Sequence, residues 1–234
     1  MIELIDSYIH MAVLAVCTVI ACYHAYHSRE LARRVWILYA LFTGEYLMGD
    51  LFSTLYLAFY GETPGFYIAD FSWYCSYLFL GIMMIYVSER ESIRMMTWSQ
   101  LLIPVFTIGM GVFFVLSSGD IVGNVVSVVI MTGAMWLAGG GLELERQRAR
   151  EWRLERSGEK DAGKKVPYVP DKRPLFFFGL VLLGLEYGFW ITSSFWMGDT
   201  LMNPFFWVDI LYSISVVCMI PAIKKAMAEP GDEG

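Results

Sequence analysis

Lysine and arginine are absent from every long apolar run of this sequence, and its 234 residues hold only three histidines and four cysteines. No two cysteines stand in a CxxC pair and no His/Cys spacing suits a metal, which excludes zinc modules and thioredoxin-like redox sites. No nucleotide-binding loop and no nucleophile elbow occurs. Cys17, Cys22, Cys75 and Cys218 all fall inside apolar runs. They read as small packing residues and say nothing of an oxidising compartment.

What is present is apolar surface. Hydrophobic residues make up 57% and aromatics 16% of the chain, and the mean hydropathy is +0.52. Soluble domains are nearer ~45–50% apolar, and several runs here exceed the roughly 20 residues that cross a bilayer. The expected fold is an all-α integral membrane protein with seven spans, at 8–27, 35–60, 67–88, 97–117, 121–142, 174–197 and 202–223. The first run is expected to be a span rather than a cleaved leader. Its amino end is acidic (Glu3, Asp6), and its arginines follow it. The last span has no lysine, which excludes a retinal Schiff base of the microbial-rhodopsin kind.

Charge sets the orientation. Arg29, Arg33 and Arg34 lie between spans 1 and 2, Arg90 and Arg94 between spans 3 and 4, ten basic residues between Arg146 and Arg173, and Lys224 and Lys225 in the tail. The opposite loops, "GETPG", "SSGD" and "MGDTLMN", have none. The positive-inside rule then gives an outside amino terminus and a cytoplasmic carboxyl terminus in a cell membrane. The net charge of −6 carries little information. The basic residues face anionic lipid rather than nucleic acid, so the bilayer is an expected partner and nucleic acid is not.

Segment 143–173 is the one long loop. Its first half has helix formers, so span 5 is expected to run on as a cytoplasmic helix to about Arg156, until "SGEKDAGKK" breaks it. It reads as a solvated linker or as a docking surface for a cytoplasmic protein. "AGGG", 138–141, reads as a place of close helix packing.

Two windows repeat a pattern: "GEYLMGDLFSTLYLAFYGETPGFYIADFSWYCSYLFLG" and "LEYGFWITSSFWMGDTLMNPFFWVDILYSISVVCM". Each has Glu-Tyr in a span (Glu45-Tyr46, Glu186-Tyr187), a loop with proline (Pro64, Pro204), then Asp and an aromatic three residues on (Asp70/Trp73, Asp209/Tyr212). Both windows run in one direction, which suggests a parallel 3+1+3 repeat. Residues 1–95 and 121–223 are then two three-helix bundles, 96–120 the linking span and 224–234 a cytoplasmic tail.

Five acids lie in the spans: Glu45, Asp50, Asp70, Glu186 and Asp209. Each costs about 2.5–3.5 kcal/mol at a helix centre, and such residues usually face a cavity or a partner. With no intramembrane Lys or Arg, they must be protonated, hydrated, hydrogen-bonded or balanced by an external cation. Helix spacing puts Asp70, Trp73, Tyr74 and Tyr77 on one face, Asp209, Tyr212, Ser213 and Val216 on another, and Glu186, Trp190 and Ser193 on a third. Asp50 aligns with Ser53 and Thr54, while Glu45 aligns with Gly49 and Phe52, about 140° away at 3.6 residues per turn.

At ~1.5 Å per residue, Asp70 and Asp209 lie shallow on the outer side, Glu186 roughly 16 Å deep and Glu45 deeper. The expectation is an outward cavity, acidic and aromatic at its mouth, with Glu45 and Glu186 at its floor. Carboxylates with aromatic faces suit an organic cation or amine. The competing expectation for Asp70 and Asp209 is helix capping beside an interfacial aromatic belt. His24 and His27 read as interfacial. His10, at the outer end of span 1, is placed to hydrogen-bond an acid. No cofactor and no metal is expected.

The first window also carries a resemblance. Gly49-Asp50, Pro64, Ala69-Asp70, Trp73 and Tyr77 are similar to a pattern in the multi-span amino-terminal sensory regions of bacterial and archaeal histidine kinases and diguanylate cyclases. The likeness covers about 40 of 234 residues. It implies a ligand-binding sensory module in a bacterial-type inner membrane. With no PAS, kinase or cyclase region after the last span, it also implies a separate output partner. The 3+1+3 plan is similar to that of small sugar and amino-acid transporters with two triple-helix bundles, without their Pro-Gln motif. Three functions follow in order: a sensory module, a proton-coupled or cation transporter, and a lipid-processing enzyme. The enzyme is placed last because the histidines lie at the ends of span 1, away from Glu45 and Glu186.

Overall fold

A computed structural model describes residues 2–61, 68–89, 97–118, 121–158, 171–195 and 203–228. Seven α-helices occupy them: α1 (Ile2–His27), α2 (Glu30–Tyr60), α3 (Ile68–Val87), α4 (Trp98–Ser118), α5 (Ile121–Gly158), α6 (Arg173–Phe195) and α7 (Pro204–Ala226). Among the described residues there is no strand.

Local chemistry sets the ends. Only Ser28 and Arg29 separate α1 from α2, and the chain turns on Glu30 at a φ of 43°. Gly61 closes α2 at φ 76°, where a glycine has no Cβ penalty, and its N–H reaches Leu57 O. Asn203 caps α7 by accepting from Phe205 N–H, with Pro204 at the first helical position.

Seven spans were expected; among the described residues, six helices are long and apolar enough to cross a membrane. The exception is α2. It has 31 residues, ample for a crossing, but Glu45 and Asp50 interrupt its apolar run and lower its hydropathy. α1 begins earlier than the expected span, which brings Asp6 and Ser7 onto the helix.

The packing is a closed ring. α1 packs on α2, α2 on α3, α3 on α5, α5 on α6, α6 on α7, and α7 back on α1; α4 stands outside against α5. A hydrogen bond between Thr107 and Thr132 (2.6 Å) joins α4 to α5. The ring interior is filled by large side chains from facing helices, among them Tyr39, Leu80, Met83, Met84, Val216 and Met219. Tyr39 Oη donates to Val216 O at 2.6 Å, tying α2 to α7. Outward faces of α1, α4 and α7 show exposed Val, Ile, Leu and Phe, as lipid-facing surfaces do. "AGGG" is a place of close packing: Gly141 lies against the Phe176 ring with no room for a side chain.

α5 runs past Arg156 to Gly158. At this end of the bundle Arg148 forms a two-pronged pair with Glu89, beyond α3. Lys172 approaches the same carboxylate at 3.6 Å and donates to Val87 O at 3.3 Å. Asp171 joins Arg173 at 2.7 Å and Lys225 at 2.9 Å, linking α6 to the end of α7. Most of the expected linker, 159–170, lies outside the described residues.

Candidate functional site

At the opposite end the ring opens into a cavity of about 410 Å³. Its polar lining includes His10, Tyr46, Asp50, Glu186, Asn203 and Asp209, and Trp73, Phe189, Trp190 and Phe205 supply aromatic walls. Five helices of the ring contribute: α1, α2, α3, α6 and α7.

His10 is the hub. It projects from α1 between α2 and α7 and is only 5% exposed. Nδ1 faces Asp209 Oδ1 at 2.7 Å and Ser213 Oγ at 2.8 Å. Nε2 is 3.5 Å from Asp50 Oδ2 and makes no hydrogen bond within the protein. Tyr46 and Tyr212 pack on the imidazole with ring centroids 5.7 Å away, and Phe189 meets it edge-on at 6.3 Å.

Asp50 is held from its other side. Trp73 Nε1–H donates to Asp50 Oδ1 at 3.0 Å. The indole reaches that carboxylate by lying flush on Gly49, where a Cβ would collide with it. Asp6, one turn before His10 on α1, stands beside Asp209 and His10, and its Oδ2 is buried without a hydrogen-bond partner. The mouth of the site thus gathers three carboxylates around one imidazole.

Glu186 forms the floor. It is 3% exposed and accepts from Tyr46 Oη at 3.0 Å. Tyr77, Tyr212 and Trp190 crowd the same carboxylate. The Tyr77 and Tyr212 hydroxyls are buried and find no partner by hydrogen-bond geometry. Tyr46 packs on Tyr212 at 5.0 Å and edge-on to Tyr77 at 6.0 Å, so the floor is a tyrosine layer.

Of the expected site residues, Asp50, Trp73, Glu186, Trp190 and Asp209 line the cavity. Tyr77 and Tyr212 lie in the layer behind it. Glu45, Asp70 and Tyr74 do not line it. Glu45 is partly exposed and turned toward Cys75 of α3. Asp50, about 140° around the same helix, faces the cavity beside His10. Asp70 stays in the first turn of α3. Asp209 does not cap α7, because Asn203 does so six residues earlier.

His10, expected to hydrogen-bond an acid, meets Asp209 at 2.7 Å; Asp6, Tyr46, Phe189 and Phe205 are among the residues not expected at the site. His10 at the mouth and Glu186 at the floor line one cavity. A signal existed in the four-residue spacing of Asp6 and His10, and of Tyr46 and Asp50, each pair on one helix face. Ser213 contacts His10 from outside the cavity lining, so this serine is not presented to a bound molecule. Among the described residues no group of three or more His, Cys, Asp or Glu is arranged to hold a metal ion.

No protein-family model matches the chain, and neither a curated protein nor a solved structure matches it.

Proposed function

We propose that this protein is a seven-span membrane module, amino terminus outside, that binds a small organic cation from the outer side and signals through its cytoplasmic face. The observation that carries the reading is the charge balance of the cavity. Asp50, Glu186 and Asp209 face it with His10 as their one basic neighbour in the lining. Buried carboxylates seek a counter-charge, and four aromatic side chains offer their faces to a cation. A volume of about 410 Å³ suits a small ligand.

The sensory part rests on two supports. The segment that resembles sensory regions of kinases and cyclases supplies Asp50 and Trp73 to the cavity and Tyr77 to its floor. On the basic side of the bundle, α5 extends to Gly158, and segment 143–173 offers a charged docking surface for a cytoplasmic protein.

The test is direct binding. Purified protein in nanodiscs is titrated with alkylamines and quaternary ammonium salts, followed by tryptophan fluorescence and calorimetry. Saturable binding is expected, weakened at least tenfold in Glu186→Gln. That variant keeps an acceptor for Tyr46 and should retain its unfolding temperature. Absence of saturable binding by any member of the panel, up to millimolar concentration, would sink the reading.

A small cation transporter is the second reading, favoured by the order of the ring. Rotating the ring by half a turn exchanges α1–α2–α3 with α5–α6–α7 and leaves α4 outside, as a parallel 3+1+3 repeat requires. Proteoliposome flux separates the two. Uptake of a bound cation, lost in Glu186→Gln, would favour transport, and binding without uptake would favour sensing.

A further inference from the structure

The cation reading leaves one feature unused: the half-satisfied imidazole at the mouth. Nδ1 of His10 lies 2.7 Å from Asp209. A carboxylate that has lost its proton only accepts hydrogen bonds, so in the arrangement argued here the hydrogen between the two sits on Nδ1, and Ser213 Oγ at 2.8 Å is a second acceptor for it. The proton that comes and goes is therefore the one on Nε2. That nitrogen is buried, makes no hydrogen bond and points at Asp50 from 3.5 Å.

The surroundings give the two states different partners. Facing His10 are Asp50 and Tyr46 from α2, Asp209, Tyr212 and Ser213 from α7, and Asp6 from its own helix. Glu186 lies across the cavity. With the cavity empty, a neutral Nε2 would turn its lone pair toward the Asp50 carboxylate, acceptor against acceptor. A protonated Nε2 makes His10 the counter-charge of Asp50 and Asp209 together. A bound ammonium beside Asp50 supplies that charge instead, and two cations around one carboxylate repel.

We infer that the outer cavity exchanges a proton for an organic cation: the ligand's ammonium replaces the Nε2 proton of His10 as the partner of Asp50. The proton leaves through the cavity mouth to water, and the imidazole stays anchored to Asp209 through Nδ1–H. Cation affinity is thereby tied to pH, and an acidic exterior empties the site. This inference rests on the cation reading and adds its regulation.

The probe is benzyltrimethylammonium, which has no proton of its own, so any proton released comes from the protein. Calorimetry of the full chain in nanodiscs, in buffers of different ionisation enthalpy, counts protons per ligand bound. Release approaching one proton is expected in mildly acidic buffer. The Kd should tighten by up to about tenfold per pH unit through the range in which the imidazole titrates and level off once it is neutral, as a one-proton linkage requires. In His10→Gln, which keeps a hydrogen-bonding side chain but no titrating nitrogen, release should vanish and the Kd should be flat. The wild-type pH profile needs no variant and decides the matter if His10→Gln fails to fold. Binding without proton release, a flat wild-type Kd, or release that persists in His10→Gln overturns the inference and leaves the cation reading standing. No binding at all removes both.

Discussion

At the scale of the residue, two small facts hold the cavity in shape: Gly49 has no side chain, and Trp73 uses that space. The indole reaches Asp50 because α2 and α3 approach closely there. Gly49→Ala places a methyl group where the ring now lies. Overpacking of this kind costs about 1–3 kcal/mol, and here it also pushes the donor off Asp50. The expected result is a lower unfolding temperature in detergent together with a shifted tryptophan emission maximum. Trp73→Phe is the informative partner. It relieves the crowding, so Gly49→Ala in a Trp73→Phe background should cost much less than in the wild type. Equal costs in the two backgrounds would show that the methyl clashes with something else.

At the scale of the element, the basic end of the bundle is tied by ion pairs that are exposed or part-buried. Glu89 receives Arg148 from α5 and Lys172 from just before α6, and these partners hold its carboxyl below the usual range. Asp171, between Arg173 and Lys225, is likewise held well below it. A depressed carboxylate stabilises the fold above its unfolded pKa and loses that contribution as pH falls through its folded one. For Glu89 the unfolded reference is 4.5, so the tie is complete at neutral pH and loosens only in acid below it. Its side chain is 42% exposed, and exposed pairs are worth at most about 1 kcal/mol. Glu89→Gln should therefore lower the unfolding temperature by a few degrees at pH 7. That deficit should shrink toward zero in strongly acidic buffer, and should also shrink in high salt. A deficit independent of pH would assign the loss to packing instead.

The helices themselves were legible because bilayer-length apolar runs and polar breaks are long-range signals. α5 could be followed past the membrane for the same reason, since its helix formers continue without a breaker. The faces of α6 and α7 were legible too: Glu186, Trp190 and Ser193 share the cavity, and Asp209, Tyr212 and Ser213 share His10. The rotation of α2 was not. Glu45 and Asp50 are both acidic in a greasy helix, and depth alone favoured Glu45. What chose Asp50 was the position of α1 across from it, a tertiary fact that periodicity within one helix does not contain. His10 was hard to place for the same reason, because its worth depends on α2 and α7 arriving from far along the chain.

At the scale of the whole molecule, the proposed repeat and the site pull apart. Glu186 and Asp209 lie in the cavity, while their counterparts Glu45 and Asp70 do not line it. Two related bundles would thus share a scaffold while one end of the ring holds an asymmetric pocket, to which the first bundle contributes His10, Asp50 and Trp73 instead. That division makes the orientation decisive, because an outward cavity samples the environment and an inward one samples the cytoplasm. Ser193 lines the cavity near the end of α6, and Lys225 lies at the opposite end of the bundle on α7. In a background with the four native cysteines replaced, Ser193→Cys should react in intact cells with a membrane-impermeant cationic thiol reagent. The acidic lining should make that reagent faster than an anionic one of similar size, by attraction that weakens with salt. Benzyltrimethylammonium should slow the reaction by occupying the cavity. Lys225→Cys should stay unlabelled until the cells are opened. The reverse pattern would turn the molecule over in the membrane and make the cavity a cytoplasmic one, whatever its ligand.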